Sequence, residues 1–344
     1  MSRQEETPPP SENGTAPDNP FAFLKGGEDY FKTKDGSPVD WGRSIELARE
    51  QLSEAMHSRN VAFLLGAGCS SYVADQNQLG IPTMQPLASE FANGEHDADD
   101  DNFEDQIFLT KVKKESLKDI LGIDITVPEY AGNIERLMEC LHSYQFALSR
   151  SVNEEHAPFL ELVDDTIEVL QRFILDKCTE GAFSEGDATV AKIYEAFYRK
   201  LVFRDRSLPR PWVFTLNYDL FNETAMDRLG LPYCNGFSGT VERRFNPALF
   251  RYALAEQLDI TSRKWSAVDG FVYLCKLHGS ITWIEDLQGL FSIREKQNAD
   301  LPDRVMIYPT PAKQNASLGS PYADLFREFH SRIVREQSVL FTVG

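Results

Sequence analysis

The chain has 344 residues, 42% of them hydrophobic, enough to bury one large core or two smaller ones. Its 53 acidic residues against 35 basic ones give a formal charge of -18, which opposes sequence-independent attachment to a phosphate backbone, so direct nucleic-acid binding is not expected, although a local basic patch remains compatible with it. Five cysteines (Cys69, Cys140, Cys178, Cys234 and Cys275) include no Cys-x-x-Cys pair, which argues against a metal site or a disulfide framework; with no leader-like start and no membrane-length apolar run, a cytoplasmic protein without a membrane attachment is expected.

In chain order, residues 1–40 begin with a proline-rich polar segment, "TPPPSENGTAPDNP", and are expected to be a loosely ordered tail. From Arg43, the residues Ile45, Ala48, Leu52 and Met56 recur at helical spacing. Val61 to Leu65 is a short unbroken apolar run, the pattern of a strand buried on both faces. The seven acids between Glu95 and Asp105 predict a solvated loop. A calcium loop is excluded there, because the sixth position is Asn102 rather than glycine and the twelfth is Phe108 rather than glutamate. A helical insertion is expected over about 95–205, where "NIERLMECLHSYQFAL" sets Ile134, Leu137, Leu141 and Tyr144 on one face.

Strand-like runs return at "PWVFTLNYD", "FVYLCKLHGS", "RVMIYPT" and "SVLFTVG", and Leu325, Phe326, Phe329, Ile333 and Val334 predict an amphipathic crossover helix before the last. This alternation predicts an α/β fold built on a doubly wound parallel sheet, whose ligand crevice lies at the carboxyl ends of its strands. Residues 41–344 are expected to form that domain.

The turn "GAGCSS" after the first strand lets backbone approach a pyrophosphate, yet Ser71 stands where a dinucleotide fingerprint has its third glycine, and no Gly-Lys-Ser or Gly-Lys-Thr follows. Cys69 has two readings, a nucleophile activated by His278 or a small buried hydrophobe, and the second is preferred. Asn217 offers a donor and an acceptor suited to a ribose hydroxyl or a water, and His278, at a strand end before glycine, is the natural proton acceptor. Each also has a structural reading, as a turn residue and a packed histidine, and Asp219 alternatively caps the helix starting near Leu220.

Together, "GAGCS" (66–70), "GIPTM" (80–84), "TLNYD" (215–219) and "LHGS" (277–280) resemble the SIR2 family in order and character. More closely, the chain is similar to SIR2-like effectors of bacterial antiphage systems, including those encoded beside a HerA-type ATPase; "NIERL" (133–137) and "IYPTPAK" (307–313) are shared with that branch. The resemblance implies a Rossmann-like core that binds NAD as its substrate and cleaves the nicotinamide–ribose bond, with Asn217 and His278 catalytic. It assigns NAD binding to Gly66, Ala67, Gly68, Cys69, Ser70, Pro82, Thr215, Asp219, Gly279, Ser280 and Gly344. It further implies a homo-oligomer and a HerA-type ATPase as partner.

Three departures bear on activity. The paired cysteines of protein-deacylating sirtuins are missing, so no zinc is expected. "GIPTMQ" stands where those enzymes carry "GIPDFR", which favours water as the acceptor. The chain stops at "VLFTVG", short of the Tyr-Ser and helix that usually follow, so either it is truncated relative to the family pattern or a final piece of the NAD site is expected to be supplied differently. The expected activity is NAD hydrolysis to nicotinamide and ADP-ribose, depleting NAD in abortive infection; the alternatives are a protein deacylase or ADP-ribosyltransferase, or a non-catalytic nucleotide-sensing subunit of a complex with an ATPase.

Overall fold

The computed structural model describes residues 24–25, 28–29, 41–74, 77–97, 106–183, 188–259, 264–285, 293–296, 304–306 and 321–344. Most of the expected tail, most of the acidic run and the "IYPTPAK" segment lie outside them. The chain falls into two units, residues 1–57 and 58–344, so the division comes after the first long helix rather than before it. In the first unit Leu24–Lys25 pairs with Glu28–Asp29, and helix α1 spans Trp41–Met56.

The second unit is mixed α/β. Its central sheet contains five parallel strands: β1 (Asn60–Leu65), β2 (Trp212–Thr215), β3 (Tyr233–Cys234), β4 (Val272–Lys276) and β5 (Ser338–Val343), in the spatial order β5-β1-β2-β4-β3. Val61, Ala62, Phe63 and Leu65 of β1 are buried, as is every residue of β2, which is why these strands read as unbroken apolar runs. The longer helices among the described residues of this unit are α2 (Met84–Asn93), α3 (Lys111–Leu121), α4 (Ile134–Ser149), α5 (Ala157–Phe183), α6 (Thr189–Leu201), α7 (Phe221–Leu229) and α8 (Tyr322–Ile333).

Helix α4 starts where Asn133 Oδ1 accepts from the backbone N–H groups of Glu135 and Arg136, an N-cap that offsets two otherwise unpaired donors. Its Ile134, Leu137 and Leu141 meet Val163, Ile167, Leu170 and Phe173 of α5 in one buried cluster. Full burial of such side chains contributes about 1.5–3 kcal/mol each, so the helical segment carries a core of its own. A second cluster joins Phe214 of β2, Cys275 of β4 and Leu325 of α8 to Phe245 and Trp283.

The last two of these residues belong to a second sheet that the apolar runs did not announce. It is antiparallel, ordered Arg304–Met306, Gly279–Glu285, Ile293–Glu295, Arg243–Phe245 and Phe237–Ser238. "FVYLCKLHGS" therefore supplies two strands, with Leu277 and His278 at the corner between the sheets. "RVMIYPT" supplies a strand of the antiparallel sheet and not of the parallel one.

Register fixes the site. Leu65 stands opposite Val343 on one side and Thr215 on the other, and Thr215 stands opposite Lys276. The ladder then runs on: Gly66 N donates to Val343 O, Leu216 N to Leu65 O and Leu277 N to Thr215 O, at 2.7, 3.0 and 2.9 Å. Four carboxyl ends thus stop level, and the polar residues that follow each of them emerge side by side.

Candidate functional site

Beside those ends lies a cleft of about 250 Å³. Ala67 and Ser70 reach it from the turn after β1, Asn217 and Asp219 from the turn after β2, and His278 from the turn after β4. Ile81, Pro82, Met84, Leu87, Met138 and Ile174 form an apolar wall, with Pro82, Met84 and Leu87 drawn from the "GIPTM" stretch and the start of α2. An apolar slot with a few convergent polar groups is the usual build of a small-molecule site.

Asn217 is held from three directions. Its N–H donates to Thr215 Oγ1 at 3.1 Å, and its Nδ2 donates to Gly66 O and to Ser70 Oγ, both at 2.9 Å. The backbone carbonyl accepts only from an NH₂, which fixes the orientation of the amide. With both amide hydrogens committed, the atom left to address a ligand is Oδ1, an acceptor.

Ser70 is the hub of the network. Its hydroxyl donates to Asp219 Oδ2 at 2.7 Å, so the contacts with Asn217 Nδ2 and, at 2.9 Å, with Tyr194 OH are both accepted. One donated and two accepted bonds saturate a hydroxyl, and Ser70 therefore has no capacity left for a pyrophosphate. Burial, followed by the Asp219 charge, holds the Tyr194 phenol well above its ordinary pKa, which keeps it a donor. Asp219 is itself buried; its Oδ1 accepts from Phe221 N at 3.0 Å, an Asx turn that satisfies the first N–H of α7 from just ahead of its N-cap residue Leu220.

The other residues singled out in the sequence stand behind this surface and do not line the cleft. Thr215 is fully buried, with Oγ1 donating to Leu65 O. Gly66, Gly68 and Gly344 pack on each other: a Cβ on Gly68 would lie 3.0 Å from the Gly344 carbonyl carbon, so close chain packing accounts for the glycine there without a ligand. Cys69 donates its thiol hydrogen to Val343 O at 3.2 Å, and burial, with Asp219 acting in the same sense, raises its pKa; that opposes a nucleophilic role. Gly279 and Ser280 open the long antiparallel strand, with Ser280 Oγ accepting from Lys276 Nζ at 3.1 Å. Pro82 does line the cleft, positioned by Gly80, whose φ of 72° and close approach to the Ser70 carbonyl would strain any side chain placed there.

Lys276 was missed. Its ammonium is buried beneath the Asn217–Asp219 turn, where it donates to Tyr218 O, Asp219 O and Ser280 Oγ and pairs with Glu223 Oε1 at 3.1 Å. It is a positioning residue: it ties the two carbonyls that flank the turn to β4. Burial pushes Glu223 above the ordinary carboxylate pKa, with Lys276 pulling partly back. The available signal was a lysine inside an apolar run, which needs a buried acid. Tyr194 was also missed, since a tyrosine in an amphipathic helix reads as core.

Among the described residues, no group of three or more His, Cys, Asp and Glu side chains could hold a metal ion, and no helix is long and apolar enough to cross a membrane. Compared with models of known protein families and with curated proteins, the chain matches none.

Proposed function

We propose that this protein is an NAD glycohydrolase, built as a doubly wound SIR2-like core, that breaks the nicotinamide–ribose bond with water. The observation that carries this reading is the convergence of Ala67, Asn217 and His278, from three separate strand-end turns, on one apolar-walled cleft. The nicotinamide ring fits the apolar wall, and the ribose fits the polar floor. In the reaction the C–N bond breaks and its electron pair neutralises the ring nitrogen, while positive charge develops on the sugar in an oxocarbenium-like transition state. Asn217 Oδ1 accepts a hydrogen bond from the attacking water or a ribose hydroxyl. Water then bonds to the anomeric carbon and its proton passes to His278, giving nicotinamide and ADP-ribose.

In the cell this activity would deplete NAD in the cytoplasm during antiphage defence, in a homo-oligomer working with a HerA-type ATPase. The support for that setting is the sequence resemblance alone. A second reading, binding without turnover, is favoured by the saturation of Ser70 and the capping role of Asp219, which leave few groups free to act.

One assay separates them: nicotinamide and ADP-ribose are followed with NAD alone and with added protein. Release with NAD alone supports hydrolysis. Release only with added protein indicates a transferase or deacylase, and a change in oligomeric state without release indicates a sensor.

A further inference from the structure

At the opposite, amino-terminal ends of β1, β2, β4 and β5 lies a second cavity, of about 170 Å³, lined by Asn60, Arg210, Trp212, Tyr273, Arg332 and Arg335 among others. Aromatic rings line one side of it. Trp212 stacks on Tyr273 with ring centroids 4.4 Å apart, and the Arg332 guanidinium lies 4.0 Å over the Trp212 ring.

Positive charge is in excess here. Arg332 pairs with Glu328 at 2.9 Å, while Arg206 and Arg210 share the single carboxylate of Asp269, both at 3.0 Å. Arg335 is exposed and has no side-chain partner among the described residues. Three guanidinium groups, of Arg210, Arg332 and Arg335, therefore line the cavity, against the carboxylates of Asp269, which is shared with Arg206 outside it, and Glu328, in a protein whose overall charge is -18. The Nε of Arg332 is buried and has no hydrogen-bond partner, although a buried donor is ordinarily matched. Partial burial of its guanidinium and then the neighbouring Arg332 disfavour the charge on Arg335, with Glu328 pulling partly back. Like charges held side by side, one with an unmatched donor, are an arrangement that a bound anion relieves.

We propose that this cavity is an anion site that takes a phosphate group, with Arg335, Arg332 and Arg210 as its donors. Planar guanidinium forks match the tetrahedral oxygens of phosphate, and the cavity is large enough for that group with a small organic substituent. The site is independent of the cleft at the other end of the sheet and of the activity proposed there.

The test is calorimetric titration of the full chain at fixed ionic strength with inorganic phosphate, pyrophosphate and AMP, in the wild type and in Arg335→Gln. Binding at one site per chain is expected, weakened about tenfold or more by the substitution, as for loss of one charge-assisted contact. Because Arg335 is exposed and unpaired, the melting temperature without ligand should not move; Arg210→Gln serves as a second, independent variant. AMP binding more tightly than inorganic phosphate would identify an organic phosphate as the ligand, and equal binding would identify free phosphate; either supports the site. Absence of binding at millimolar phosphate, or unchanged affinity in both variants, overturns it. So does preferential binding of duplex DNA with a salt dependence that reports several phosphates.

Discussion

The two ends of the central sheet differ in how their polar groups are satisfied. At the carboxyl ends Ser70, Asn217 and Asp219 satisfy one another through uncharged donors and a single carboxylate, and the buried ammonium of Lys276 is matched by Glu223 Oε1, leaving Oε2 of that carboxylate without a hydrogen-bond partner among the described residues. At the amino ends guanidinium groups outnumber acids, and the Arg332 Nε has no partner. A pre-organised surface holding one fixed carboxylate suits a reaction whose positive charge appears only in the transition state, because its dipoles need not reorganise when it does. An uncompensated surface suits a ligand that arrives already charged. The same ladder supplies both: at one end the polar residues two to five places beyond the strands form the surface, and at the other it is built from the strand starts together with the end of α8.

The comparison breaks most sharply at His278. Replacing it with Ala should lower nicotinamide release by about a hundred- to ten-thousandfold, the usual cost of losing a general base, and should leave phosphate binding at the arginine end intact. Nicotinamide release at the wild-type rate would remove His278 from the mechanism. Next in size is Lys276→Met, which strands a buried carboxylate; it should cost about 3–5 kcal/mol in urea unfolding, and the double variant with Glu223→Gln should recover much of that. No recovery would mean that the ammonium acts mainly through Tyr218 O and Asp219 O.

Gly80→Ala is a smaller perturbation. It places a Cβ 2.4 Å from Ser70 O at a φ of 72° and should cost about 1–3 kcal/mol, read by thermal unfolding, with a loss of NAD binding as the Pro82 wall shifts. The smallest effect is on pH dependence. Because folding raises the Glu223 pKa above its ordinary 4.5, the folded state holds a proton that the unfolded chain releases, so the stability it contributes is present below pH 4.5 and lost as pH rises through the folded value. Glu223→Gln removes that titration. The difference between wild-type and variant melting temperatures should become steadily less favourable to the wild type above pH 4.5; parallel curves would show that the carboxyl is not shifted.

Two of the parallel strands were legible because burial on both faces writes an unbroken apolar run, at Val61–Leu65 and Trp212–Thr215, whereas Tyr233–Cys234, two residues long, was not, and Ser338–Val343 reads as apolar although it is half-buried to exposed. The crossover helix was legible from the spacing of Leu325, Phe329 and Ile333, and the helical segment from the matching stripe of α4. The antiparallel sheet was not. Arg243–Phe245 and Phe237–Ser238 are too short to show alternation, and Gly279–Glu285 is buried along nearly all its length, so it merges in the text with the strand before it. At the site, Asn217 and His278 could be read from their positions just past strand ends. The saturation of Ser70 could not, because it depends on Tyr194 and Asp219, 124 and 149 residues away.

The level alignment of Leu65, Thr215, Lys276 and Val343 has a consequence for how this chain tolerates change. Excursions between strands can change length where they carry no lining residue, but the one between β1 and β2 supplies the apolar wall through Pro82, Met84, Met138 and Ile174 and is constrained there. A single residue added or lost within β2 or β4 is different in kind: alternate side chains face opposite ways, so such a slip would turn Asn217 or His278 away from its neighbours while leaving the overall architecture almost unaltered.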